Sequence, residues 1–318
     1  MNKKHIVIIG LGGVGGYFGF KINQRNEINK EHKISFIARA ETYKKVKEKG
    51  LTLLSLEHKN STTNPNAIYQ SISEIEKPDL VLICVKEYDL ENVCNQLSNV
   101  ITEDTIVLPM MNGADIYDRI HTIIPNNIIL PSCVYVASHM KEKGVVEHKG
   151  KTGKLIFGKD PKHTTKNIDW MVDLLEKSEI KFEYKENSLV DIWTKFIFIA
   201  SFGLVTAKYN SSIGSVCLIE SQKEEATKIM GEIKSIATKK GIHLHDNIIL
   251  KTFEKAATFP TKTPTSLQLD VNSRKENNEL ELFAGAIIKY GKEMNINTVY
   301  TEKIYQEITT TNNKVQKK

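Results

Sequence analysis

The sequence has few of the residues that stabilise small or anchored proteins. Its 318 residues include four cysteines, two tryptophans and eight prolines, and no two cysteines form a C-x-x-C pair. A mini-protein held together by disulfides is therefore excluded, and a chain of this length can bury a large core without them. No apolar run approaches the ~18 uninterrupted residues of a membrane-spanning helix. We expect a folded protein of about two domains that does not bind membranes.

The sequence also has no strong excess of charge of either sign. Lys and Arg total 44 against 38 acidic residues, and the net charge of +6 is too small and too dispersed to predict nucleic-acid binding. A mildly positive net charge is compatible with an anionic small-molecule ligand. Three of the four cysteines (Cys84, Cys94, Cys133 and Cys217) lie in apolar or small-residue surroundings, where cysteine usually behaves as a buried hydrophobe. A reducing, cytoplasmic setting is the simplest interpretation.

The start of the chain combines Lys3 and Lys4 with an apolar run, as a signal peptide does, but glycines interrupt the run from Gly10 and no cleavage site follows. We therefore expect no signal peptide.

The first half of the sequence alternates β-rich runs with helical patterns, which predicts a parallel sheet with crossover helices. The strands are expected at residues 5–9, 33–38, 80–85, 105–109, 128–136, 145–148, 154–158 and 180–184. The helices between them are expected at residues 14–25, 41–49, 88–97, 115–123 and 167–177.

The pattern changes near residue 187, where apolar residues at three- and four-residue spacing take over. Helices are expected at residues 188–209, 220–240, 247–257 and 277–293, followed by a frayed tail at residues 309–318. These patterns predict an α/β domain over residues 1–185 and an all-α domain over residues 186–318.

A glycine-rich turn links the first predicted strand and helix. Gly10, Gly12 and Gly15 spell G-x-G-x-x-G directly after the run His-Ile-Val-Ile-Ile, and the helix opens at Val14. In this motif the first glycine makes the turn, the second lets a pyrophosphate approach the backbone and the third lets helix and strand pack closely. The motif has the strand and helix context that it needs, so we predict a dinucleotide-binding site, and we assign Gly13 and Val14 to it.

The end of the second strand normally selects the nicotinamide cofactor, because an acid there binds a ribose 2′-hydroxyl and an arginine a 2′-phosphate. The segment Ile-Ser-Phe-Ile-Ala-Arg ends at Arg39, and the first acid beyond it is Glu41. We predict NADP as the cofactor, with Lys44 or Lys45 adding charge. The alternative is that Arg39 is an ordinary solvated side chain.

Further motifs follow in order: Cys-Val-Lys ending at Lys86, Met-Asn-Gly around Asn112, Trp-Thr-Lys ending at Lys195, and two segments beginning at Thr265 and Glu279. Together they resemble the 2-dehydropantoate 2-reductase (ketopantoate reductase) family over nearly the whole chain. The resemblance implies a Rossmann-type NADP-binding domain, a helical catalytic domain, and NADPH-dependent reduction of 2-dehydropantoate to (R)-pantoate on the route to pantothenate and coenzyme A.

The resemblance also implies roles for individual residues. Lys195 is the proton donor, and Glu279 orients the substrate and this lysine. Asn112 binds substrate or cofactor ribose, Ser266 binds the substrate carboxylate, and Lys86 and Ala137 belong to the cofactor site.

Other interpretations of these residues stay open: an amphipathic surface lysine at Lys195, an Asn-Gly turn at Asn112, a polar strand end at Lys86 and a helix N-cap at Ser266. Because the segment before Glu279 is one residue longer than in the family, Glu276 and Glu281 are fallback candidates.

The chain departs from the family at Ile199 and Gly203, four and eight residues beyond Lys195, where asparagines are expected. The predicted pocket is therefore more apolar than one built for ketopantoate. This apolar pocket favours an alternative enzyme, either a reductase of another branched 2-oxo acid or an opine-type dehydrogenase. A non-catalytic NADP-binding redox sensor is a further alternative. The oligomeric state stays open, a homodimer included.

Overall fold

The computed structural model describes residues 3–57, 60–164, 166–273, 275 and 277–316. The chain divides into two compact units. The first contains the chain up to Asn112 together with Ile116–Ser188, and the second contains Gly113–Asp115 and the chain from Leu189 onward.

The first unit mixes strands and helices. Its strands are β1 (His5–Ile9), β2 (Lys33–Ile37), β3 (Leu51–Leu54), β4 (Ser61–Thr63), β5 (Ala67–Tyr69), β6 (Leu80–Ile83), β7 (Ile106–Pro109), β8 (Ile128–Ile129), β9 (Ser132–Tyr135), β10 (Ser138–Glu142), β11 (Val145–His148), β12 (Lys154–Gly158) and β13 (Lys181–Lys185). Its α-helices are α1 (Gly13–Asn29), α2 (Ala40–Lys49), α3 (Glu87–Leu97), α4 (Ile116–Ile123) and α5 (Asp169–Lys177), and Ile72–Glu74 forms a 3₁₀ turn.

The main sheet has six strands in the order β5-β2-β1-β6-β7-β8, and every neighbouring pair is parallel. Strands β1, β6 and β7 are buried along their whole length, as expected for a parallel sheet that is covered on both faces. The strand order reverses beside β1, so the carboxyl ends of β1 and its neighbours form the ligand-binding edge of such a sheet.

Two smaller sheets complete the first unit, in the orders β10-β11-β3-β4 and β13-β12-β9. Helix α1 packs against the first of these as well as against the main sheet. This explains why Tyr17, Phe18 and Phe20 of this helix are all fully buried.

The second unit is helical. In the part of it that the structure describes, every regular element is a helix: α6 (Leu189–Tyr209), α7 (Ile213–Leu218), α8 (Glu220–Lys239), α9 (Ile248–Ala257), α10 (Ser266–Asn272), a π-helix (Glu281–Gly285), α11 (Ala286–Met294) and α12 (Val299–Gln316). The predicted fold class, a parallel-sheet domain followed by an all-helical one, is confirmed.

Helix α6 is the core of the second unit. Fourteen of its 21 residues are buried, and it packs against α8, α10 and α12. Among the described residues it is the one helix long and apolar enough to cross a bilayer by length and composition. Its burial inside the unit accounts for that apolar character, since a helix that is hydrophobic on every face is a core helix.

Three local predictions are wrong. Residues 128–136 are not one strand: β8 and β9 belong to different sheets and are separated at Pro131, whose carbonyl accepts from Gly158 N and whose ring leaves no N–H for a ladder. Residues 309–316 are not a frayed tail, because α12 continues to Gln316. The expected helix over residues 277–293 begins as the π-helix at Glu281.

The N-terminus of α12 is capped by a carboxylate from another helix. Glu232 of α8 is 8% exposed, and its two oxygens accept hydrogen bonds from Tyr300 N at 2.8 Å, Thr301 N at 3.0 Å and the Thr301 hydroxyl at 2.6 Å. Burial raises the pKa of this carboxyl. The contacts satisfy two of the N–H groups that the first turn of a helix leaves without intrahelical partners.

We predict that Glu232→Ala lowers the free energy of unfolding by ~2 kcal/mol, because it removes a helix cap and leaves buried donors unsatisfied. Urea unfolding followed by circular dichroism measures this loss. Glu224→Ala is the matched control: Glu224 lies on the same helix, is exposed and pairs with Lys228, and its loss should cost ~0.5 kcal/mol or less. Equal losses in the two variants would contradict the capping role.

Candidate active site

Four of the predicted site residues follow neighbouring strands of the main sheet at the same edge. Gly10 follows β1, Arg39 lies two residues beyond β2, Lys86 three beyond β6, and Asn112 three beyond β7. The strand ends are held level by hydrogen bonds from Gly10 N to Ile37 O at 3.0 Å, Cys84 N to Ile9 O at 2.8 Å and Met110 N to Ile83 O at 2.8 Å. Tertiary structure thus brings together residues that are up to 102 positions apart in sequence.

The glycine-rich turn packs more closely than any side chain would allow. Gly10 has a φ of +89°, which favours glycine. A Cβ on Gly15 would lie 1.9 Å from the carbonyl oxygen of Gly10 and 2.7 Å from the Cβ of Cys84. The first turn of α1 is therefore pressed against the ends of β1 and β6, as the third glycine of the motif is expected to permit.

The N-terminus of α1 is open to an anion. Gly12 is its N-cap and provides no side-chain hydrogen bond, the first turn contains no carboxylate, and a Cβ on Gly12 would have nothing within 4 Å. The positive end of the helix therefore carries no competing carboxylate from its own first turn, which fits the pyrophosphate of a dinucleotide.

Gly13, Val14 and Ala137 lie around this helix N-terminus. Gly13 and Val14 are the first residues of α1, and a Cβ on Gly13 would lie 2.3 Å from the carbonyl oxygen of Ser138. Ala137, exposed and adjacent to Ser138, is thereby placed beside the start of the helix. The assignment of Ala137 to the cofactor site stays a prediction.

Arg39 is the N-cap residue of α2, and its side chain is 60% exposed. Its guanidinium Nη1 lies 2.9 Å from Oδ1 of Asp89, in the first turn of α3. Sequence reasoning missed Asp89, because nothing in the sequence links it to an arginine 50 residues away. Lys44 is also exposed and pairs with Glu41 at 2.8 Å, while Lys45 is exposed on the same helix.

Lys86 and Asn112 occupy turns rather than strands. Lys86 is the exposed N-cap residue of α3. Asn112 is half-buried after the buried Met111, and the following Gly113 has a φ of +124°. The Asn-Gly turn expected from the sequence is therefore compatible with a ligand-binding role for Asn112.

In the second unit, Lys195 lies on the core helix α6 and is 9% exposed. Its neighbours in sequence, Trp193 and Phe196, are buried, and the Phe196 ring packs 6.4 Å from that of Phe283. Lys195 is not a surface lysine. A buried ammonium is rare, and such groups concentrate at functional sites.

Ser266 is the first residue of α10 and is exposed. The N-cap of this helix is Thr265, whose hydroxyl accepts from Gln268 N at 3.2 Å and lies 2.7 Å from the Thr206 hydroxyl of α6. The competing interpretation of Ser266 as the helix cap is therefore wrong by one residue.

Of the candidate glutamates, Glu279 is 4% exposed and stands just before the π-helix. Glu281 is exposed and accepts a hydrogen bond from the Tyr305 hydroxyl, which raises the pKa of Tyr305. Glu276 lies outside the described residues. Glu279 is thus the better placed of the two described candidates, and a π-helical turn next to it is a feature often found at functional sites.

The departures from the family lie along α6. Ile199 is half-buried, and Gly203 is buried with room for a methyl group: a Cβ there would lie 3.7 Å from Leu267 of α10 and 3.9 Å from Phe283 of the π-helix. The face of α6 beyond Lys195 therefore meets apolar neighbours.

A parallel sheet with a glycine-rich phosphate turn, together with a helical unit that buries a lysine, is typical of nicotinamide-dependent oxidoreductases. Two family models match the chain, ketopantoate reductase PanE/ApbA over residues 6–162 and its C-terminal domain over residues 187–312. The chain belongs to the ketopantoate reductase family and is an oxidoreductase. The resemblance inferred from the sequence motifs is confirmed.

Known relatives are distant but span nearly the whole chain. An uncharacterised oxidoreductase, YkpB of Bacillus subtilis, is 22% identical over 95% of this chain and 97% of its own length. A PanE/ApbA family ketopantoate reductase from Ralstonia eutropha superposes with a TM-score of 0.87 at 22% identity, covering 98% and 99% of the two chains. D-mandelate dehydrogenase, solved with NADH and anilino(oxo)acetate, superposes with a TM-score of 0.83 at 19% identity, covering 98% and 99%. At these identities the structural matches establish the fold.

We predict that Gly15→Ala abolishes measurable nucleotide binding and lowers the free energy of unfolding by more than ~2 kcal/mol, because the new Cβ overlaps the Gly10 carbonyl. Isothermal titration with NADP⁺ and urea unfolding measure the two effects. Gly231→Ala is the matched control, since Gly231 is also helical but a Cβ there meets nothing within 4 Å. That variant should bind normally and gain ~0.5–1 kcal/mol of stability. Normal binding by Gly15→Ala would refute the close-packing argument.

Proposed function

We propose that this protein uses NADPH to reduce a 2-oxo acid, with 2-dehydropantoate as the substrate and (R)-pantoate as the product, in the biosynthesis of pantothenate and coenzyme A. The observation that carries the proposal is Lys195, a lysine 9% exposed on a largely apolar core helix. A lysine ammonium at a buried position is suited to supplying a proton to a carbonyl oxygen as it becomes an alkoxide. Membership of the ketopantoate reductase family supports the substrate.

NADPH is preferred over NADH in this proposal because of Arg39. The residues at the end of β2 include no acid that would bind a ribose 2′-hydroxyl, and the exposed guanidinium matches a phosphate in charge and geometry. NADH is bound by the structurally similar D-mandelate dehydrogenase, so the preference rests on Arg39 and not on the fold.

When bound, the reduced nicotinamide supplies the hydride that adds to the keto carbon. The α1 N-terminus would hold the pyrophosphate, and Arg39 and Lys86 would contribute positive charge at the neighbouring strand ends. Lys195 Nζ donates a proton to the keto oxygen, and Glu279 orients this lysine and the substrate. Ser266 donates a hydrogen bond to the substrate carboxylate, and the Asn112 amide holds the substrate or the cofactor ribose.

We predict that Lys195→Ala lowers kcat by about 10²- to 10⁴-fold while leaving the Kd of NADPH within about twofold, because general acid catalysis contributes that much to rate and little to cofactor binding. Stopped-flow absorbance and fluorescence titration measure the two quantities. Lys239→Ala, a change at an exposed lysine of α8, serves as the control and should alter neither. Normal turnover by Lys195→Ala would rule out Lys195 as the acid.

The residues along α6 also support a different substrate, a branched 2-oxo acid without a hydroxyl group. Ile199, Gly203 and the neighbouring Leu267 and Phe283 give α6 an apolar face where an amide would have bound a substrate hydroxyl. This face favours a branched 2-oxo acid without a hydroxyl group, or an opine-type condensation of such an acid with an amine.

The two substrates can be separated with a matched pair, 2-dehydropantoate and 3,3-dimethyl-2-oxobutanoate, which differ by one hydroxyl. We expect kcat/KM to favour 2-dehydropantoate by at least ~10-fold. A preference of ~100-fold for the analogue would transfer the assignment to the second substrate, since an apolar pocket discriminates a hydroxyl by about that much. Ile199→Asn, at the half-buried position, should shift the ratio towards 2-dehydropantoate, and Ile199→Ala, which adds no polar group, should not. Inactivity with every 2-oxo acid tried would instead favour the NADP-binding sensor.

We also propose a cytoplasmic location. All four cysteines are free, and burial raises the pKa of the Cys94 thiol to about 12, which disfavours the reactive thiolate at neutral pH. The oligomeric state is a separate question, and sedimentation velocity would decide between a monomer and a homodimer.

A further inference from the structure

Asp89 lies opposite Arg39 at the edge of the main sheet. Its Oδ1 is 2.9 Å from the guanidinium Nη1, and the aspartate side chain is 28% exposed against 60% for the arginine. Arg39 caps α2, which follows β2, and Asp89 belongs to the first turn of α3, which follows β6. The ion pair therefore connects the N-termini of α2 and α3, the helices that follow two different strands of the sheet.

The position of this pair follows from the strand order. Strands β2 and β6 are the two neighbours of β1, so their ends lie about 10 Å apart with the end of β1 between them. The Arg39–Asp89 pair spans that gap, on the side where Gly10 and Gly12 lead into α1. A dinucleotide whose pyrophosphate lies at the α1 N-terminus would place its adenosine ribose near this pair.

We propose that Asp89 is a specificity-determining residue that weakens the preference for 2′-phosphorylated nucleotides by competing for Arg39. The inference rests on the proposed function, in which Arg39 binds a 2′-phosphate. A carboxylate on the same guanidinium repels that phosphate, and it must share or release the arginine when the nucleotide binds. A 2′-hydroxyl, in contrast, can donate a hydrogen bond to Asp89.

Two features indicate that Asp89 adjusts the preference and does not block phosphate binding. Exposed ion pairs are weak, so the pair yields to a more highly charged ligand. The guanidinium also has five N–H donors, and those not facing Asp89 can bind a phosphate at the same time. The unmodified chain is therefore expected to accept NADPH, with a smaller margin over NADH than Arg39 alone would give.

The test is the Kd of NADP⁺ and of NAD⁺, measured by isothermal titration on the full chain at low ionic strength. Asp89→Asn keeps the shape and removes the charge, and it should tighten NADP⁺ binding about three- to tenfold while changing NAD⁺ binding by less than twofold. The gain should shrink in 0.5 M salt, which screens exposed charges. Glu91→Gln is the control: it removes one negative charge from an exposed position on the same helix and should leave both constants unchanged.

The inference is overturned if Asp89→Asn leaves NADP⁺ binding unchanged or weakens it, or if Glu91→Gln gives the same gain. Arg39→Gln separates this failure from failure of the proposed function. If Arg39→Gln weakens NADP⁺ binding and Asp89→Asn has no effect, only the role of Asp89 is lost. If the unmodified chain binds neither nucleotide, the proposed function fails and the inference fails with it.

Discussion

The contact between the first turn of α1 and the ends of β1 and β6 is the constraint on which the first unit depends. Gly15 lies so close to the Gly10 carbonyl and to Cys84 that no other residue fits there. This contact aims the helix N-terminus at the edge where β2, β1, β6 and β7 end. Because the strands are parallel, the residues after each of them reach the same edge, and the sheet collects Arg39, Lys86 and Asn112 beside the phosphate turn.

Positive charge at that edge comes from several weak sources and from no single strong one. The helix N-terminus, the exposed Arg39 and the exposed Lys86 each attract an anion, and Asp89 offsets part of the attraction. These groups concentrate positive charge at one edge of the sheet, although the net charge of the whole chain is only +6.

The second unit places Lys195 at a buried position of a largely apolar core helix. Trp193, Phe196 and Phe283 surround the segment with aromatic side chains, while the helices around α6 are held in place by polar contacts such as the Glu232 cap of α12. In the proposed reaction, Lys195 and Glu279 take part in proton transfer, while Ile199 and Gly203 set the shape and polarity of the neighbouring face. Reaction class and substrate choice would then depend on different positions of the same unit.

The sequence by itself determined the features that depend on short-range patterns: the glycine turn, the buried parallel strands, the helical second half, the motif around Lys195 and the family. It did not reveal that residues 128–136 divide between two sheets, that Ser61–Thr63 joins a sheet, or that α12 runs on to Gln316. Short or polar segments take their conformation from the partners they pack against, and these partners are distant in sequence. The same reason applies to the site. The Arg39–Asp89 pair, the Glu232 cap and the choice of Thr265 over Ser266 as the N-cap depend on which side chains the fold brings within hydrogen-bonding distance, and only the tertiary structure decided that.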